Sequence, residues 1–127
     1  MIFVDASVPR SVADRIKRSR PETVWIGDVF RLDTKDPVWL REAGRRGWLI
    51  ITRDKNIRKR HGERRAIAES GAGCFVLVYR EPLKKDEIAE MILSFLEDME
   101  ALFENTPRPF IYTVTKNGDF NKYDLRP

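Results

Sequence analysis

The chain carries one cysteine, Cys74, and one histidine, His61. A lone thiol excludes a disulfide framework, and no cysteine–histidine cluster of the kind that holds zinc can be assembled. Long apolar runs are missing too: no stretch approaches the ~20 residues that a membrane helix needs. Met1-Ile2-Phe3-Val4-Asp5 has no basic segment before it and no long apolar run after it, so it reads as a structural strand and not as a secretory signal. Repeats, low-complexity tracts and linker-like stretches are absent. These absences predict a single domain over residues 1–127, with cytoplasmic residence and no membrane association.

What remains is a globular composition with a heavily charged surface. Of 127 residues, 42% are hydrophobic and 35% charged, enough to enclose a core and unlike a disordered chain. The net charge of +4 is mild but unevenly spread. Arg45, Arg46, Arg53, Lys55, Arg58, Lys59, Arg60, Arg64 and Arg65 crowd the middle, while Glu87, Glu90, Glu97, Asp98, Glu100 and Glu104 collect later. Such a basic stretch suits a polyanion, because Lys and Arg release counterions from phosphates. It equally suits a solvated helix face.

Apolar patterning predicts the elements. Ile2-Phe3-Val4 is a short buried strand ending at an acid. A helix follows Pro9, with Val8, Val12 and Ile16 at helical spacing up to Lys17-Arg18-Ser19-Arg20. Thr23-Val24-Trp25-Ile26 is a second strand, closed by Gly27-Asp28. Asp36-Pro37 reads as an N-cap acid and a first-turn proline, and Gly44 and Gly47 as the end of that helix. Trp48 to Thr52 is a third strand, followed by a basic helical stretch interrupted around His61-Gly62. Cys74 to Tyr79 is a fourth strand, and Pro82 introduces the strongest helix, with Ile88, Met91, Ile92, Phe95, Leu96, Met99 and Leu102 on one side. Asn117-Gly118 between Phe110–Thr115 and Phe120–Leu125 is a hairpin signal. Strands alternating with helices predict an α/β fold, a mainly parallel sheet of about four strands covered on both faces, with a C-terminal hairpin.

In such sheets, sites form at the carboxyl ends of strands. Asp5 directly follows the first strand, Asp54 follows the third within Thr52-Arg53-Asp54, and Asp36 starts the helix that feeds the third. In a parallel sheet Asp5 and Asp54 emerge at one edge, and Asp36 reaches it if the loop after the second strand folds over. Gathered carboxylates repel one another and take up protons unless a cation is present. Hard oxygen ligands select Mg²⁺ or Mn²⁺, and such ions serve phosphodiester hydrolysis without a His or Cys nucleophile. Aspartates after strands also serve as turn residues and caps, so the spacing leaves both uses open.

Ile2-Phe3-Val4-Asp5, Asp36-Pro37-Val38-Trp39-Leu40 and Leu49-Ile50-Ile51-Thr52-Arg53-Asp54 together resemble a PIN-type ribonuclease domain, of the compact PIN-like branch that includes VapC-type toxins of toxin–antitoxin pairs. Pro107-Arg108-Pro109 and the closing hairpin extend the resemblance over nearly the whole chain. It implies a three-layer sandwich and a Mg²⁺- or Mn²⁺-dependent endoribonuclease, with Asp5, Asp36 and Asp54 as catalytic metal ligands and Thr52 as a hydroxyl that orients an acid or water. It further implies an RNA substrate, a cognate antitoxin and a homodimer through helices. One departure stands out. PIN domains often carry a fourth acid after the third-strand aspartate, and here Lys55-Asn56 occupies that place. Asn56 offers an oxygen without charge, and Asp28 and Asp33 remain open as further members of the site.

Arg53, Lys55, Arg58, Lys59 and Arg60, a run that begins beside Asp54, are candidates for RNA phosphate contact, Arg53 and Arg58 foremost, or for a solvated face. His61, between Arg60 and Gly62, reads as an exposed turn residue; the competing reading is a general base, which metal-bound water does not need. Trp25, Trp39 and Trp48 suit base stacking or core packing, with Trp39 the least decided. The Met91, Phe95 and Met99 stripe suits core or a partner surface, and Cys74 a small buried strand position. Two other readings compete with the nuclease. One is a non-catalytic nucleic-acid-binding or protein-interaction module on the same fold, favoured by the missing fourth acid. The other is a phosphoacceptor receiver domain, which fits worse because no acidic pair follows the first strand.

Overall fold

A computed structural model describes residues 1–125. Six strands form one sheet in the order β2-β1-β3-β4-β5-β6, with β1 at Ile2–Val4, β2 at Val24–Trp25, β3 at Leu49–Thr52, β4 at Gly73–Val78, β5 at Phe110–Thr115 and β6 at Phe120–Tyr123. The first five are parallel and β6 is antiparallel. The sheet is therefore wider than the four parallel strands read from the sequence. A 21-residue helix, α4 (Lys85–Asn105), is long enough to return the chain to the amino edge. The first strand of the hairpin then adds in parallel beside β4, in register from Gly73–Phe110 to Val78–Thr115.

Alternation along the strands sends side chains to two cores. Ile2, Val4, Leu49, Ile51, Phe75, Leu77, Phe110 and Val114 face α1 (Arg10–Ser19) and α4. Phe3, Ile50, Cys74, Val76 and Ile111 face α2 (Asp36–Arg45) and α3 (His61–Ser70). The result is the three-layer α/β sandwich, and the Met91 and Met99 stripe belongs to the first core. Burial raises the Cys74 thiol well above its ordinary pKa, which keeps it protonated and inert. Among the described residues no helix is long and apolar enough to cross a membrane.

The second core is aromatic. The Phe3 ring stacks between Trp39 at 5.4 Å and Trp48 at 5.5 Å, with Phe30 edge-on at 6.1 Å. Trp39 and Trp48 are thus packing residues, and Trp39, 1% exposed, has no face left for a base. Trp25 is half-buried, its indole N–H donating to the Val8 carbonyl at 2.8 Å. On the other face Arg20 forks onto Glu100 with bonds of 2.9 and 2.7 Å, joining the end of α1 to α4. That pairing holds the Glu100 carboxyl below its ordinary range.

Three local readings change. Gly44 does not end α2, which runs on to Arg45; the turn out of the helix is made at Gly47, whose φ of 69° suits glycine. Gly44 instead lets α2 approach α3, since a Cβ there would lie 2.7 Å from the Ser70 Cβ and 3.0 Å from the Ala72 Cβ. Ile26 belongs to a 3₁₀ turn (Ile26–Asp28) and not to the second strand. The break in the basic stretch falls earlier than His61-Gly62. A 3₁₀ turn (Lys55–Arg58) is capped by the Asp54 side chain, Arg60 is extended, and His61 opens α3.

Gly44→Ala is expected to lower stability by about 1–3 kcal/mol through overpacking against Ser70 and Ala72. Helix propensity alone predicts a gain of about 1 kcal/mol, so the sign of the change in a urea unfolding series separates the two.

Candidate functional site

The parallel register carries the sequence's acids to one edge. Phe3 pairs with Ile50 and Val4 with Ile51, so Asp5 and Thr52 leave the sheet side by side. Asp5 is 5% exposed, and both its oxygens are engaged. Oδ1 accepts from the Ser7 backbone N–H at 3.2 Å and from the Ser7 hydroxyl, while Oδ2 accepts from the Thr52 hydroxyl at 2.9 Å. Thr52 in turn accepts from the Asp54 N–H at 3.0 Å, and Ser7 Oγ accepts from the Arg53 N–H at 3.0 Å. Two hydroxyls thus link the end of β1 to the turn after β3.

The other two acids arrive from different elements. Asp54 caps the 3₁₀ turn, its Oδ1 accepting from the Asn56 N–H at 3.0 Å. Here Asn56 supplies a backbone donor to Asp54. Asp36 lies at the start of α2, whose amino end is at the carboxyl edge of the sheet. It is the first helical residue and not the cap, which is Lys35. Its Oδ1 accepts from the Trp39 indole N–H, one turn along, at 3.0 Å, and this turns the carboxylate away from a capping geometry. The Arg60 guanidinium lies 3.7 Å from Asp36 Oδ2 and 3.5 Å from Asp54 Oδ2. In both acids one oxygen is tied to the fold and the other faces a cation.

The remaining candidates divide. Thr52 and the three acids occupy the same edge. Arg53 is exposed with its guanidinium over the Tyr79 ring at 5.4 Å, and Lys55 is exposed. Arg58 lies over Tyr123 of β6 at 5.6 Å, in the direction of the hairpin. Asp28 is paired with Arg10 at 2.6 Å and Asp33 with Arg31 at 3.2 Å. His61 is exposed at the start of α3. Two participants escaped the sequence reading, and Arg60, read there as a phosphate contact, faces two acids instead. Ser7 had a signal, because a serine two residues after an aspartate forms an Asx-type turn. The Trp39 indole had none, being one core aromatic among several.

Burial pushes the Asp5 carboxyl up from 3.8 to about 6; the hydrogen bonds from Ser7 and Thr52 oppose the shift, and the nearby Asp36 charge adds to it. Of these causes, the Asp36 charge is the smallest. The donors are all carboxylate or hydroxyl oxygens, which match a hard divalent ion, and a guanidinium already lies between two of them. Among the described residues, no three acidic, histidine or cysteine side chains close on one point at metal-ligand distance. The donor chemistry fits a divalent ion, and the Arg60 guanidinium faces one oxygen each of Asp36 and Asp54.

A family model described as PIN like domain matches residues 1–79, well over half of the chain. The chain belongs to the PIN-like domain family. The PIN-like match contains Asp5, Asp36, Thr52 and Asp54, and ends at Tyr79, just after β4. A curated relative, "Putative ribonuclease VapC45" of Mycobacterium tuberculosis (strain ATCC 25618 / H37Rv), is 30% identical over 118 residues, covering 89% of this chain and 84% of that protein. No solved structure matches the chain.

The Asp5 shift has a sign that can be checked. With a folded pKa near 6 against 3.8, the folded state binds the extra proton between about pH 4 and 6, so ionised Asp5 removes stability as pH rises through that window. Asp5→Asn cannot ionise. The melting-temperature difference, variant minus wild type, is expected to grow more positive from pH 4 to pH 7. A difference that stays flat would place the Asp5 pKa at its ordinary value.

Proposed function

We propose that this PIN-like chain is a Mg²⁺- or Mn²⁺-dependent endoribonuclease and the toxin of a toxin–antitoxin pair. The observation that carries the proposal is the pair of outward oxygens, Asp36 Oδ2 and Asp54 Oδ2, flanking one cation beside the buried Asp5. The ribonuclease name of the Mycobacterium tuberculosis relative supports the same activity.

Asp5, Asp36 and Asp54 would hold the ion. When bound there, a hard divalent ion supplies water activation and offsets charge on the phosphate. The protein's own work is positional. Ser7 and Thr52 hold both oxygens of Asp5, the Trp39 indole orients Asp36, and the Asn56 N–H orients Asp54. Arg53 and Lys55, exposed beside Asp54, contact the RNA backbone and thereby set its register without reading its bases. Cleavage adds water across the phosphodiester, so that the P–O bond to the departing ribose breaks.

A cognate antitoxin would neutralise this activity. The non-catalytic RNA-binding reading draws on one observation, the absence among the described residues of three acids closing on a point.

The deciding experiment is cleavage of a labelled structured RNA with Mg²⁺, with Mn²⁺ and with EDTA. Wild type is expected to cut only with metal, and Asp54→Asn not to cut. RNA binding without cutting under either metal would establish the binding module instead. Trp39→Phe keeps an aromatic ring against Phe3 and removes the donor to Asp36, at the cost of a small cavity in the core. It is expected to cost about 10–100-fold in cleavage rate, as for other residues that orient metal ligands, with the circular dichroism spectrum unchanged. In cells, induction of wild type and not of Asp54→Asn should arrest growth.

A further inference from the structure

A trough of about 640 Å³ lies along the carboxyl edge, away from Asp5. Its lining includes Lys55 after β3, Arg58, Tyr79 and Arg80 after β4, and Lys116 in the β5–β6 turn. A second hollow, of about 330 Å³ and bordered by Arg53 and Asp54, shares Lys55, Val78 and Tyr79 with it. The two form one path from Asp54 to the hairpin turn. Crossing from β3 to β5 covers two strand spacings, about 10 Å.

Charge marks this path out. Arg10, Arg20, Arg41 and Arg46 each reach a carboxylate at 2.6–2.7 Å. Among the described residues, none of Lys55, Arg58, Arg80 and Lys116 has a carboxylate within 4.0 Å, although Glu81 and Asp119 also line the trough. Cations left unpaired along a groove are available to successive phosphates. The buried side-chain polar atoms without a partner among the described residues are Arg58 Nε, Tyr79 Oη and Ser70 Oγ, and the first two belong to trough residues. The Tyr79 ring, with Arg53 over it, provides a planar aromatic–guanidinium surface of the kind on which unpaired bases stack.

We propose that this trough holds the single-stranded RNA segment adjoining the scissile phosphate, with Arg80 and Lys116 on its backbone and the Tyr79–Arg53 pair against a base. The proposal rests on the ribonuclease reading above and names where its substrate runs. Arg80 and Lys116 lie just past and well past the residues that the family model matches, which end at Tyr79. An unpaired strand is required because stacking on Tyr79 needs a base free of its partner.

The test is fluorescence anisotropy with a labelled single-stranded oligoribonucleotide, in the Asp54→Asn background so that nothing is cut, across a salt series. Adding Arg80→Ala and Lys116→Ala, both exposed positions, is expected to weaken binding several-fold. The slope of log affinity against log salt should become shallower by about 1.4, at ~0.7 per phosphate contact. Lys17→Ala with Arg18→Ala, in the last turn of α1 at the opposite edge, should change neither quantity. A groove variant that binds like its parent, or an α1 pair that loses as much, overturns the proposal. If wild type cuts RNA while the groove variant binds normally, the trough falls and the nuclease stands. If wild type never cuts while the groove variant loses affinity, the trough stands as an RNA site and the nuclease falls.

Discussion

Asp5 is a carboxylate at the end of a strand that is paired on both sides, in a place where water hardly reaches it. Such a group is tolerated only with donors on its oxygens, and Ser7 and Thr52 provide them. Thr52 can do so because β1 and β3 run parallel in a register that pairs Val4 with Ile51. A slip of one residue would send Thr52 to the other face and leave the carboxylate buried without its partner. The same register places Phe3 beside Ile50, in the aromatic core that anchors α2. Site and core are therefore set by a single strand pairing.

Trp39 shows how closely the two are joined. One part of the indole stacks on Phe3, and its N–H holds Asp36. A residue whose bulk is explained by packing also aims a carboxylate toward the edge. Arg60 completes the arrangement by facing Asp36 and Asp54 together. Asp5, Asp36 and Asp54 thus reach one edge of the PIN-like fold from three different elements.

The edge is also asymmetric. Toward α1 and the 3₁₀ turn after β2, Arg10 and Asp28 neutralise each other. Toward β4 and the hairpin, Lys55, Arg80 and Lys116 have no carboxylate within 4.0 Å among the described residues, and they line a trough with Tyr79. That side exists because the hairpin joins the sheet through β5 and so brings its turn to the carboxyl edge.

Local pattern carried much of this structure. Apolar runs ending at Asp5 and Asp54, the Asn117-Gly118 turn and the helical stripe after Pro82 are short-range features, written in hydrophobic period and turn chemistry, and they predict the layers and the acids at one edge. Glycine positions were less legible: Gly44 reads as a helix end, while its place in the fold is set by α3, which approaches from elsewhere in the chain. The same holds for Ser7 bonding Asp5, the Trp39 indole finding Asp36, Arg60 rather than its neighbours facing two carboxylates, and β5 pairing with β4. By itself the sequence determined which segments are buried and where their charged ends emerge, because burial and turn formation act within a few residues. Which side chains meet across those ends was decided only by the tertiary structure, because strand register and helix packing join residues that lie tens of positions apart.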